Sequence, residues 1–131
     1  MKYLGILMMM MMGLASCSPD RTVDVGKKTT MLVEAEHNAG EVIKGEMITA
    51  NIKVENTGDY PLVISDVNGS CSCTVVDKPE EPILPGEIAE IRAHVNTDKT
   101  NTGIINKQIR IVANTDDSPV TVRIIANVNP N

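Results

Sequence analysis

The feature that most constrains this chain is an apolar alternation of period two, which returns in one segment after another. In ITANIKVE, residues 48–55, Ile48, Ala50, Ile52 and Val54 fall on one face of an extended chain, and Thr49, Asn51, Lys53 and Glu55 on the other. That pattern predicts a half-buried strand. It recurs as Ala89, Ile91, Ala93 and Val95 against Glu90, Arg92 and His94, and as Val120, Val122, Ile124, Ala126 and Val128 against Thr121, Arg123 and Asn127. Ile105 to Ala113 is a less regular strand, because Lys107 shares the face of Ile109 and Ile111; an edge position where its stem can snorkel would accommodate it. Met31, Val33 and Ala35 predict a first strand, and Pro61 to Val67 a third with its proline at the strand start.

Turn residues fall between these runs. Asn56-Thr57-Gly58-Asp59, Pro85-Gly86 and Asn114 to Pro119 each interrupt the alternation. No segment beyond the first 16 residues has helical spacing. Six or seven short strands in about 100 residues specify an all-β fold, an immunoglobulin-like antiparallel β-sandwich of about seven strands, more readily than a barrel. The core is aliphatic: the chain has no Trp or Phe, and its two tyrosines are Tyr3 and Tyr60. The central tryptophan of antibody domains is therefore missing.

The first 16 residues have a different character. Lys2 precedes an apolar run from Tyr3 to Leu14, followed by the small residues Ala15 and Ser16. The run is shorter than the ~20 residues a spanning helix needs and matches the apolar region of a signal peptide. Leu14-Ala15-Ser16-Cys17 resembles the lipobox of bacterial lipoproteins, in which the cysteine receives diacylglycerol. The resemblance implies cleavage before Cys17 and anchoring through its acyl chains. The expected organisation is a leader over 1–16, a lipidated cysteine and polar tether over 17–29, and one sandwich domain over 30–131. Acyl chains contribute about 0.8 kcal/mol per buried methylene, which suffices for stable attachment without a spanning helix. Ser18 is not the aspartate that retains enterobacterial lipoproteins at the inner membrane. The expected location is thus the cell envelope, at the outer membrane.

Removing 16 of 131 residues leaves 115, enough for one core. Lys2 is the only charge lost, so the formal net charge of −5 becomes −6. An acidic surface with almost no aromatic rings argues against nucleic acid and against direct binding of anionic headgroups.

Four short motifs carry a family resemblance: Ala39-Gly40-Glu41-Val42 followed by Gly45-Glu46, then NTGDYPLVI at 56–64, Ser70-Cys71-Ser72-Cys73-Thr74, and PILPGE at 82–87. Their order and spacing resemble those of an uncharacterised bacterial family. That family is similar to the immunoglobulin-like domains of abnormal-spindle and hydin proteins and to PapD-like sandwiches. The resemblance spans roughly residues 30 to 128. It implies a seven-stranded sandwich, common on exported lipoproteins of gram-negative bacteria, with no catalytic activity attached. The family usually places a phenylalanine near Ala39 and another aromatic near Val54, and this chain has neither.

Cys71 and Cys73 raise the main chemical question. In an extended segment their Cα atoms would stand about 6.6 Å apart, near the upper limit for a disulfide, so closure needs a bend at Ser72. A bond there would be strained and readily reduced, and its small loop gives little entropic stabilisation. An oxidising compartment favours closure. The same two thiolates are also a candidate site for a soft metal such as Cu(I), whereas zinc would want four ligands. Other possible ligands are His37, His94, Met31 and Met47, whose spacing does not bring them to Cys71. His37 continues the inward parity of Val33 and Ala35, and His94 shares a polar face with Glu90 and Arg92. Glu80-Glu81 and Asp116-Asp117 lack the alternating oxygen spacing of a calcium loop and suit solvated turns. Neither histidine has a nucleophile-elbow pattern beside it.

These observations favour a noncatalytic, lipid-anchored envelope module for protein interaction or scaffolding. It would be bound to the membrane through acyl chains and to an envelope protein, with no cofactor. The alternative is a thiol-redox or Cu(I)-handling protein using Cys71 and Cys73. A third possibility, a hydrolase or small-ligand binder, requires a pocket holding His37 or His94 beside Cys71.

Overall fold

The structure, a computed structural model, describes residues 26–131. The expected leader, Cys17 and most of the tether lie outside the described residues. Eight strands form: β1 (Met31–Val33), β2 (Glu36–Ile43), β3 (Met47–Asn56), β4 (Ile64–Gly69), β5 (Thr74–Asp77), β6 (Ile88–Asn96), β7 (Gly103–Ala113) and β8 (Val120–Asn129). They make two four-stranded sheets, β1-β3-β6-β5 and β2-β8-β7-β4. The fold is an all-β, immunoglobulin-like sandwich. A single 3₁₀ turn, Thr97–Lys99, follows β6.

The alternation places the core. Ile48, Ala50, Ile52 and Val54 of β3 and Ile91, Ala93 and Val95 of β6 are buried, facing Ile105, Ile109 and Ile111 of β7 and the four inward residues of β8. Each fully buried Ile or Val contributes roughly 1.5–3 kcal/mol, so aliphatic side chains stabilise both sheets without an aromatic centre. Lys107 is half-buried on the face of Ile109. β7 lies inside its sheet, but β4 ends at Gly69, opposite Ile109, so β7 runs past it at Lys107. The lysine thus gains the local edge that its long stem requires.

The first strand departs from the sequence expectation. Met31 and Val33 are half-buried on β1, but Ala35 is exposed. The chain leaves β1 after Val33, and the N–H of Arg123 picks up the Ala35 carbonyl at 2.9 Å in the other sheet. β2 then runs parallel to β8, with a bulge between Asn38 and Gly40. This switch makes eight strands rather than seven and introduces one parallel pairing. It also puts His37 on β2 opposite Ile124, rather than at the end of β1. The third expected strand begins later than Pro61: Leu62 forms an isolated bridge with Ile83 before β4 starts at Ile64.

Two Gly-Glu turns share one construction. Gly45 and Gly86 have φ of 102° and 81°, a region in which side chains are disfavoured. The N–H of Glu46 donates to Ile43 O at 3.0 Å and that of Glu87 to Leu84 O at 2.9 Å. Each glutamate carboxylate accepts in return, from Ile43 N at 2.9 Å and from Leu84 N at 3.1 Å.

Candidate functional site

Cys71 and Cys73 occupy the corner where the chain passes from β4 in one sheet to β5 in the other. The corner is held by main-chain bonds. Ser70 N donates to Gln108 O at 2.8 Å, Thr74 N to Cys71 O at 3.2 Å, and Asn96 N to Cys73 O at 2.8 Å. The bend draws the two Cα atoms to 5.2 Å, and the sulfurs form a disulfide. Gly69 permits the tight approach: a Cβ on it would lie 2.7 Å from the Thr74 Cβ.

The bonded sulfurs differ in access. Cys73 is 4% exposed and belongs to the core, whereas Cys71 is half-buried at its margin. Thr74 Oγ1 lies 3.6 Å from the Cys71 sulfur and 3.7 Å from that of Cys73. Sequence reasoning missed this threonine, although its position next to Cys73 was a signal. As a dithiol the pair offers two soft ligands. Among the described residues no three His, Cys, Asp or Glu side chains converge in a way that could hold a metal ion.

Met31 lies at the far end of β3, paired with Asn56, and His37 is on β2 in the other sheet. Met47 pairs with Asn96, whose N–H donates to Cys73 O, but its side chain is exposed on the outer face, whereas the Cys73 sulfur is in the core. His94 neighbours Thr49 on one side and Val75 on the other, on the outer face of its sheet. Its Nδ1 lies 3.2 Å from Thr49 Oγ1, and its Nε2 lies 3.8 Å from Asp77 Oδ2. A hydroxyl, an imidazole and a carboxylate thus stand in a row, but on a flat surface where the Asp77 side chain is 70% exposed. The nearby groove of about 410 Å³ is open and charged, lined by Asp77, Lys78, Pro79, Glu90 and Arg92. The arrangement provides neither a water-excluding pocket nor donors aimed at a developing oxyanion, and it carries no positive catalytic signature. Sequence gave no hint of Asp77 beside His94, because cross-strand register alone joins them.

Several large apolar side chains project outward. Ile104 is 81% exposed, and Leu32, Val75 and Ile88 are each about 60% exposed. Two doublets, Ile104-Ile105 and Ile124-Ile125, break the alternation and signal that one isoleucine of each must face out.

Two four-stranded sheets packed over one aliphatic core define the class as an immunoglobulin-like β-sandwich. Residues 30–128 match the family described as protein of unknown function DUF1573, and the chain belongs to it. A search of curated protein sequences returns no significant match. Among solved structures, the chain is similar to a protein of unknown function from Porphyromonas gingivalis W83, with TM-score 0.69 and 19% identity over 83% of this chain. It spans about half, 51%, of that protein. It is also similar to the ASH/PapD-like domain 7 of human CEP192, with TM-score 0.59 and 7% identity over 79% of this chain and 88% of that one. The VesB protease of Vibrio cholerae matches with TM-score 0.61 and 12% identity, over 74% of this chain but only 31% of the protease. At these identities the likeness is one of fold.

Proposed function

We propose that the protein is a noncatalytic envelope module, anchored through acyl chains on Cys17, that binds another protein. The observation that carries this reading is the set of exposed apolar side chains on the outer faces of both sheets, led by Ile104, on an otherwise polar sandwich. The fold likeness to PapD-like domains supports it, as does the lipobox resemblance at Leu14 to Cys17. The thiol or Cu(I) reading has less support, because one of its two sulfurs is buried in the core.

Anchoring and binding are tested separately. Cys17→Ser should release the protein from the membrane fraction; retention there would end the lipid-anchor reading. A photo-crosslinking residue at position 104 in living cells should give a discrete adduct with one envelope protein. Absence of any adduct, or a substrate turnover abolished by His94→Ala or Cys71→Ala, would refute the binding-module reading.

A further inference from the structure

The sheet edges of this sandwich are not equally protected. β1 has three residues and β5 four, while β2 and β4 each carry an irregularity, between Asn38 and Gly40 and between Ile64 and Asp66. Short strands and bulges are the usual means of preventing edge pairing. β3 has neither protection over its first half. Its register with β6 is unbroken from Met47 to Glu55, and β1 covers only Val54 to Asn56.

The register fixes which main-chain groups are free. Asn56 N donates to Glu87 O, so by alternation Ile48, Ala50, Ile52 and Val54 bond to β6. The odd residues face the other way. Thr57 N donates to Thr30 O, and Glu55 lies opposite Leu32 of β1. At Thr49 and Asn51 no described strand lies alongside, so two N–H and two C=O groups point outward in ladder geometry. A second observation concerns the facing sheet. His37 and Val42 on β2 point inward beside the buried Ile124 and Val128, yet they are only half-buried, as is Ala39. The strand that would lie over them in the other sheet is the one β1 fails to continue.

We propose that the edge of β3 from Met47 to Ile52 is a docking site for an extended segment of a partner protein, about five residues long and alternating apolar with polar side chains. The proposal rests on the protein-binding reading above and adds to its apolar outer faces a second contact, at a sheet edge. A repeating row of outward N–H and C=O groups is satisfied by another polypeptide strand, in the manner of β-augmentation. The segment's apolar residues cover His37, Ala39 and Val42, and its polar residues lie beside Thr49 and Asn51 on the outer face. Glu34 flanks the site, but Glu36 is paired with Arg123 at 3.2 Å and the exposed Lys53 follows Ile52 on the same strand, so the surrounding charges balance and the segment is selected by its apolar–polar alternation. A second copy of this chain is a poor occupant. Its β3 carries its own β1 on the same edge, so in antiparallel pairing each β1 meets the Gly45 turn of the other copy, whereas a free segment fits between Val33 and the Gly45 turn.

The test has two stages, both on the full chain. Amide hydrogen exchange should be fast at Thr49 and Asn51 and slow at Ala50 and Ile52; protection at all four shows the edge already covered and overturns the proposal. The binding probe is a displayed library of seven-residue segments in a flexible frame. A selected peptide should protect Thr49 and Asn51 and bind at least tenfold more weakly to Asn51→Pro, which removes one outward N–H and leaves the β6 ladder intact. Should that variant misfold, N-methylation of alternate peptide residues against the natural chain makes the same test, again with an expected loss of tenfold or more. A library with no binder overturns the site. Binding unchanged by either modification also overturns it, while leaving the protein-binding reading to stand or fall on the crosslinking result.

Discussion

Asn56 shows how much one polar residue can organise in this fold. Its sequence context, Asn-Thr-Gly-Asp, reads as a turn, yet the side chain is fully buried. Its Nδ2 donates to the carbonyls of Tyr60 and Ile83, both at 2.8 Å, and its Oδ1 accepts from Thr29 Oγ1 at 2.9 Å and Gly58 N at 3.1 Å. Truncation would remove the acceptor of the buried Thr29 hydroxyl and the donor to the Tyr60 carbonyl and leave Ile83 O only the Leu62 N–H, at about 1–3 kcal/mol for each buried group left unsatisfied. Asn56→Ala should therefore destabilise the protein by about 2–4 kcal/mol, seen as a lower urea midpoint at unchanged slope. Asn56→Asp should be worse, because a carboxylate oxygen would face two carbonyls. Asn114 makes three similar bonds but is half-buried, and its truncation should cost less. The cysteines give a second prediction at this scale. The disulfide closes a three-residue loop, so reduction should lower stability by only about 1–2 kcal/mol in the chain-entropy account. In the reduced protein Cys71 should alkylate well before Cys73, because Cys73 lies in the core. Equal rates would show that the corner opens on reduction.

The strands show which parts of the fold sequence patterning can reach. β3 and β6 were legible because each keeps strict alternation for several residues, and β8 because its inward face is apolar at every second residue although Ile125 interrupts the outer one; a one-residue slip would turn every side chain to the wrong face. β2 was not. Gly40 sits in its bulge, and the parity running through Val33, Ala35 and His37 suggests one continuous strand where the chain actually changes sheets. The candidate site divides in the same way. Cys71 and Cys73 are neighbours in sequence and could be found there, whereas the contact of His94 with Thr49 and Asp77 exists only through register across three strands. The Gly-Glu turns were legible as turns, though their shared bonding was not. Gly45→Ala and Gly86→Ala each force a side chain to adopt a positive φ, at about 1–2 kcal/mol. Each variant should unfold at a lower urea midpoint by that amount. Glu46→Ala and Glu87→Ala remove the reciprocal carboxylate bond and should cost about 1 kcal/mol or less, since these bonds are exposed.

At the scale of the whole molecule, the question is whether the two sheets and the polar corners unfold together. One continuous aliphatic core joins β3 and β6 to β7 and β8 and also includes Leu62 and Ile83, the residues of the bridge beside the Asn56 corner. Such sharing favours a single cooperative transition, as in most single domains of this size. Tyr60 provides a local reporter of that corner. Its carbonyl accepts from Asn56, and the Lys27 ammonium lies over its ring, 4.9 Å from the centroid. With no tryptophan in the chain and Tyr3 in the expected leader, Tyr60 is the one tyrosine of residues 17–131, and the fluorescence of that protein reports it alone. Its urea transition should coincide with that of far-UV circular dichroism, which reports both sheets. An earlier Tyr60 transition would mean that the Asn56 corner opens as a separate unit. In that case the loss predicted for Asn56→Ala would appear in the fluorescence midpoint alone, and the ladders of β3, β6, β7 and β8 would keep their stability without it.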